Sequence, residues 1–101
     1  MKLRIEAEAE REAAEAAHWY EARRRGLGIE FLATVDSGIR RIQKHPERYG
    51  RLEYLPGEQA VRRLLLERFP FAIVYEVLTD EIHIIAIAHT RRRPGYWKHG
   101  R

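Results

Sequence analysis

No cysteine occurs in the 101 residues. Disulfide bridges and thiolate metal sites are therefore excluded, and burial and hydrogen bonding alone must hold the fold. Long apolar runs are missing too. The longest, Ile84 to Ala88, falls far short of the roughly 20 residues a spanning helix needs. The N-terminus, Met1-Lys2-Leu3-Arg4-Ile5-Glu6, turns charged before any apolar stretch forms, so a cytoplasmic protein with no membrane partner is expected. Acidic residues stop at Glu81. Residues 1–78 hold 14 Lys/Arg against 13 Asp/Glu, whereas 79–101 hold Arg91, Arg92, Arg93, Lys98 and Arg101 against Asp80 and Glu81. Charge polarised in this way suits an anionic partner, either nucleic acid or an acidic protein segment. It also suits a solvated tail with no task, and composition does not choose between them.

The chemical motifs that would mark a familiar enzyme are absent as well. There is no Gly-x-Ser-x-Gly, no phosphate-binding glycine loop and no dinucleotide fingerprint. The five histidines, His18, His45, His83, His89 and His99, lack the i, i+4 spacing of a zinc site. Neither a metal nor a cofactor is expected. His89 alone stands somewhere suggestive, at the end of a strand beside three arginines.

What is present is a folding composition, 45% apolar and 34% charged, of a length that makes one domain spanning 1–101. Lys2 to Glu6 alternates polar and apolar and predicts a short strand. Ala7 to Arg25 is mostly Ala, Glu and Arg, all strong helix formers, with a slim stripe at Ala9, Ala13, Ala16 or Ala17, and Tyr20. Gly26-Leu27-Gly28 breaks this helix. A second helix follows, with Leu27, Phe31, Leu32, Val35, Ile39 and Ile42 forming a broad apolar face, and it ends before Pro46. Gly38 within it costs about 1 kcal/mol relative to alanine, which points to close packing there. Tyr49 to Gly57 reads as irregular, with Pro56-Gly57 as a turn. Three strands are then predicted over Val61–Arg68, Phe69–Leu78 and Ile82–Ala88. The last is a nearly continuous β-branched run of the kind found in a strand covered on both faces. The expected fold is α+β: an N-terminal strand, an antiparallel helix hairpin, and an antiparallel β-meander packed on the helices.

One segment asks for a reason, His89-Thr90-Arg91-Arg92-Arg93-Pro94-Gly95-Tyr96-Trp97. Arginine grips phosphate or carboxylate bidentately, and Tyr or Trp offers a stacking plane or a hot-spot contact. The competing expectation is that Tyr96 and Trp97 fold back over the sheet while the arginines are merely solvated. Arg62, Arg63 and Arg68 flank the first meander strand and are candidates to extend the basic surface.

Taken together, Ala17-His18-Trp19-Tyr20-Glu21, Gly26-Leu27-Gly28-x-x-Phe31, His45-Pro46-Glu47-Arg48-Tyr49, Arg68 to Tyr75 and His89 to Trp97 give the chain its likeness to known proteins. In order and spacing it resembles the RelE/ParE toxin superfamily over nearly its whole length. The resemblance implies the same α+β fold and a growth-arresting toxin neutralised by a cognate antitoxin protein. It also implies one of two targets: messenger RNA in the ribosomal A site for the RelE branch, DNA gyrase for the ParE branch. The RNA-cleaving branch usually carries an arginine three residues before the strand tyrosine that Tyr75 matches. Here that position is Ala72, which favours the ParE-like side and a binding function without chemistry. Were the chain a ribonuclease, Arg63, His89, Arg92 and Tyr96 would be its active set; a further alternative is an inactive relic kept only as a partner-binding module. The residues expected to meet the target or the antitoxin are Arg91, Arg92, Arg93, Tyr96 and Trp97, together with a groove beside Phe31, Val35 and Ile39 and the edge of the meander.

Overall fold

The computed structural model describes residues 1–51, 61–93 and 95–97. The turn expected at Pro56-Gly57, together with Pro94, Lys98, His99 and Arg101, lies outside the described residues. Among those described, strand β1 (Lys2–Ile5) leads into helices α1 (Ala7–Arg23) and α2 (Leu27–Lys44), followed by strands β2 (Val61–Leu65), β3 (Phe71–Val77) and β4 (Glu81–His89). The four strands form one sheet in the order β1-β4-β3-β2. β2, β3 and β4 are the antiparallel meander, and β1 joins β4 in parallel. The expected α+β fold is the observed one.

The helix hairpin turns where the glycines stand. Gly26 adopts a left-handed φ of 87°, which a side chain would resist. At Gly28 a Cβ would come within 2.5 Å of the Ala17 carbonyl oxygen, so the helices touch backbone to backbone there. Glu21 bridges the turn, accepting the N–H groups of Gly26 at 2.8 Å and Gly28 at 2.9 Å. Its carboxylate thus meets the positive end of α2. Sequence spacing pairs Glu21 with Arg25, but the backbone donors have claimed it instead. Gly38 is the other close approach. A Cβ there would stand 2.7 Å from Ile73 Cδ1, so α2 lies directly on β3.

The expected strand Val61–Arg68 is shorter than its apolar pattern, ending at Leu65. Arg68 takes a positive φ of 72° in the turn that carries the chain to Pro70. Its guanidinium bonds Glu30 at 2.6 Å, and Glu30 also holds Arg24 at 3.1 Å, so this turn is tied to the hairpin turn. Phe69 belongs to the same turn but still packs in the core with Phe31, ring centroids 5.2 Å apart.

The interior has two parts, one on each face of the sheet. Under the helices lie Phe31, Val35, Ile42, Ile73, Tyr75, Ile82, Ile84 and Ile87. On the opposite face lie Val61, Val74, Ile85, Ala86, Ala88 and Trp97. The alternation along β4 changes phase at Ile85, because Val74 pairs with Ala86 while Tyr75 pairs with Ile84. That one extra residue is a bulge, and it turns Ile85 and Ala86 to one face and Ile87 to the other. His83, buried on β4, has one ring nitrogen 2.8 Å from Glu76 and the other 2.9 Å from Glu6, so it ties β3 and the end of β1 together. No helix among the described residues is long and apolar enough to cross a membrane.

Candidate partner and target surface

The end of β4 and the turn after it gather the residues singled out in the sequence. Thr90 N–H donates to the Pro70 carbonyl at 2.8 Å, fixing the turn against the start of β3. Arg92 N–H returns to the His89 carbonyl at 3.0 Å, and Arg91 N–H donates to His89 Nδ1 at 3.1 Å. The bends these bonds impose leave the side chains of Arg91, Arg92 and Arg93 in solvent. None of the three has a carboxylate partner among the described residues. Arg92 instead lies over the Tyr96 ring, 3.9 Å from its centroid.

Glu12 organises this corner. β1 pairs with β4 only as far as Ile84, and among the described residues no strand pairs with the outer edge of β4 beyond that point. Glu12 reaches down from α1 and accepts the Ile87 N–H at 2.9 Å, while its other oxygen accepts a short hydrogen bond from the Tyr96 hydroxyl. One carboxylate therefore joins the first helix, the sheet edge and the C-terminal turn. Replacing Glu12 by alanine should cost about 1–3 kcal/mol, the scale for leaving buried donors unpaired. Glu12→Gln keeps an acceptor and should lose less. Urea unfolding of the two variants checks this; equal midpoints for both and the parent would contradict it.

Three clefts meet at the Arg92–Tyr96 pair, and two of them also carry His89. Of these two, the larger, about 490 Å³, lies between α1 and the end of β4 and is lined by Ala16, Trp19, Tyr20, Phe71, Ile87 and Tyr96 among others, with His89 and Arg92 also on it. The smaller, about 50 Å³, opens on the opposite sheet face and brings Arg63, His89, Arg92 and Arg93 together over Ala72 and Val74. The ribonuclease-type set Arg63, His89, Arg92 and Tyr96 is thus assembled in space. Its groups, however, are committed elsewhere. Burial first, and then the hydrogen bond to Glu12 and that carboxylate's charge, hold the Tyr96 phenol well above its usual range, with Arg92 opposing. His89 Nδ1 is engaged by the turn, and its ring stands edge-on to Phe71 at 5.0 Å.

Other expected contact residues are placed differently. Phe31 is 0% and Val35 6% exposed, so neither lines an open groove; the α2 face that carries them is spent on the sheet. Ile39 packs partly buried against the same core. Trp97, 9% exposed, is packed on the second sheet face, where it shares the smaller cleft with Arg63, Arg92 and Arg93 but offers little open surface. Of the two aromatics in the segment, only Tyr96 is left near the surface. Trp19 and Glu12 were missed. Trp19, 52% exposed with the Arg23 guanidinium 3.6 Å from its ring, stands off the alanine stripe of α1. A large aromatic on a polar helix face was the available signal.

Burial raises a second phenol. Tyr75 is pushed up to about 12, mainly by burial, with the Arg62 charge opposing, and its hydroxyl donates to the Pro46 carbonyl at 2.7 Å. Because the folded value lies above the unfolded one, the stability this residue contributes is complete below pH 10 and falls as pH rises towards 12. The expected loss from Tyr75 is about 1 kcal/mol by pH 11. Denaturant melts of the parent and a Tyr75→Phe variant at pH 8 and pH 11 isolate it, and an identical pH dependence in both would refute it.

Comparison with known proteins places this geometry. The fold matches a solved structure of the chromosomal ParDE TA system from P. aeruginosa with a TM-score of 0.76 at 23% identity, covering 88% of this chain and 95% of that one. No curated protein sequence matches the chain. The model of the ParE toxin of type II toxin-antitoxin systems, parDE, matches residues 3–94. The chain belongs to the ParE toxin family.

Proposed function

We propose that this ParE-type toxin arrests growth by binding DNA gyrase, performs no chemistry of its own, and is held inactive by a cognate antitoxin. The observation that carries this reading is the state of the basic cleft. Ala72, on the wall of that cleft, stands where the resemblance to the RNA-cleaving branch implies an arginine, and the Tyr96 hydroxyl is tied to Glu12 and held protonated. A group fixed in that way is a poor proton shuttle, since an effective acid or base works near ambient pH. What remains at this corner is exposed positive charge on a rigid turn, which suits recognition rather than bond cleavage.

A second reading, ribosome-dependent cleavage of messenger RNA, is favoured by one observation: Arg63, His89, Arg92 and Tyr96 do share a cleft wall or floor. Primer extension on translated messages after induction separates the two. Growth arrest with an unbroken message profile is expected, whereas codon-phased cuts would establish the ribonuclease. Induction without growth arrest would refute both.

A further inference from the structure

The smaller cleft differs from its neighbours in the sign of its charge. The larger one carries Glu12 and Glu15, and the cleft under the start of α1 carries Glu6 and Glu8 as well. No carboxylate lines the smaller one, which gathers Arg63, Arg92, Arg93, His89 and Thr90. Arg63 pairs with Val74 across β2 and β3, which puts it on the sheet face away from the helices. Arg4, Arg11, Arg24, Arg40 and Arg68 spend their charge on carboxylates. Among the described residues no carboxylate pairs with Arg63 or Arg93, and Arg92 has only the Tyr96 ring. His89 Nδ1 accepts the Arg91 N–H, which leaves Nε2–H as a donor. The cleft is therefore rich in donors and suited to an anion.

Its size and floor narrow the choice. About 50 Å³ of open space holds roughly four water-sized groups at about 10–15 Å³ each. That is the room a phosphate group's oxygens take, and too little for an aromatic side chain. Beneath lie Ala72, Val74 and Ala88, and an apolar floor screens charge poorly, so arginine–anion bonds are strengthened there. No stacking plane is open: Arg92 covers the Tyr96 ring at 3.9 Å, and Trp97 is 9% exposed. Recognition of single-stranded nucleic acid depends on such planes, whereas a duplex can be held by its backbone alone. A lone carboxylate would answer one of these cations. Phosphates repeating along a duplex answer Arg63, Arg92, Arg93 and the adjacent Arg91 together. A second copy of this chain, with a net charge of +4, would bring like charge.

We propose that the cleft of Arg63, Arg92 and Arg93 seats a backbone phosphate of duplex DNA, held without regard to base sequence. That the duplex is the one gyrase holds rests on the target proposed above; the phosphate contact itself does not. Contact with the DNA gives a protein without chemistry a means to hold a broken duplex in place.

Fluorescence anisotropy with a short labelled duplex of mixed sequence tests the assignment. The logarithm of affinity should fall against the logarithm of salt with a slope of about −2 to −3, the value for two or three neutralised phosphates. Arg63→Gln and Arg93→Gln should each flatten the slope by about 1, equally on duplexes of different sequence. Lys44→Gln, in the helix layer across the sheet, should leave it unchanged. A parent slope near zero, or the parent's slope in both cleft variants, would overturn the assignment. So would tighter binding to single-stranded RNA of equal phosphate number, or to poly-L-glutamate of equal charge, since the cleft would then serve a different polymer. Arginine Nε–H resonances of the unaltered protein give a check independent of variant folding. Those of Arg63, Arg92 and Arg93 should shift as duplex is added while those of Arg4 and Arg40 stay, and unmoved cleft arginines would contradict the proposal. Inhibition of supercoiling by a parent with no such slope would remove the phosphate site and leave the gyrase reading intact. The predicted slope in a protein that leaves gyrase unaffected would support the site and remove that reading.

Discussion

Trp97→Ala is expected to destabilise the protein by about 3–5 kcal/mol, the usual cost of truncating a buried large aromatic. Trp97 packs on the second face of the sheet with Val61, Val74, Ile85, Ala86 and Ala88, and its ring meets Tyr96 edge-on at 5.6 Å. Among the described residues no helix packs on that face, so removing the Trp97 ring opens apolar sheet to water. A domain of this size has only about 5–15 kcal/mol to lose. Its melting temperature should therefore fall by well over about 10 °C. A partner-contact role makes the opposite prediction, an unchanged melt with weakened binding. A thermal scan of the free variant distinguishes them, and an unshifted melt would contradict the structure's placement of Trp97.

Phe31→Ala should be about as damaging, again on the order of 3–5 kcal/mol. Phe31 is fully buried where the hairpin meets the sheet, with Tyr20, Phe69 and Phe71 around it at centroid distances of 5.3, 5.2 and 5.0 Å. Such offset and edge-on pairs add to plain area burial. The alanine would leave a void bordered by both helices and by β3, and those elements are held in place by the backbone approach at Gly28 and by the packing of the Ile73 side chain against Gly38. Collapse is therefore limited and the full cavity cost should appear. Chemical unfolding gives the value, and a loss below about 1 kcal/mol would place Phe31 on an open surface after all.

These two residues show what could and could not be extracted from the amino-acid order. Element type follows from local pattern: the alanine-rich helix former, the 3.6-residue period of α2 and the β-branched run of β4 all became the elements they predict. Gly38 was even legible as a packing point, since a glycine inside a strong helix needs a neighbour that excludes Cβ. Which apolar residues face outward is a property of assembly. The stripe of Phe31 and Val35 looks the same whether it meets a partner or its own sheet, and only the docking of α2 on β3 decides it. The parallel pairing of β1 with β4 likewise arises from contacts between residues some 80 positions apart. The corner built by Glu12 was hidden for the same reason. Glu12 sits among five other glutamates of the N-terminal segment, and nothing local sets it apart from a solvated one. The Arg91–Arg93 cluster was visible as charge, but its neighbour Trp19 came from the other end of the chain.

The central claim, that this ParE-family chain acts by binding gyrase, is tested most directly by supercoiling of relaxed plasmid with purified gyrase and a molar excess of the protein. The account predicts that supercoiling falls, that gyrase-linked DNA breaks accumulate, and that prior addition of the cognate antitoxin restores activity. Undiminished supercoiling with no trapped cleavage, from a preparation that arrests growth in cells, would contradict it.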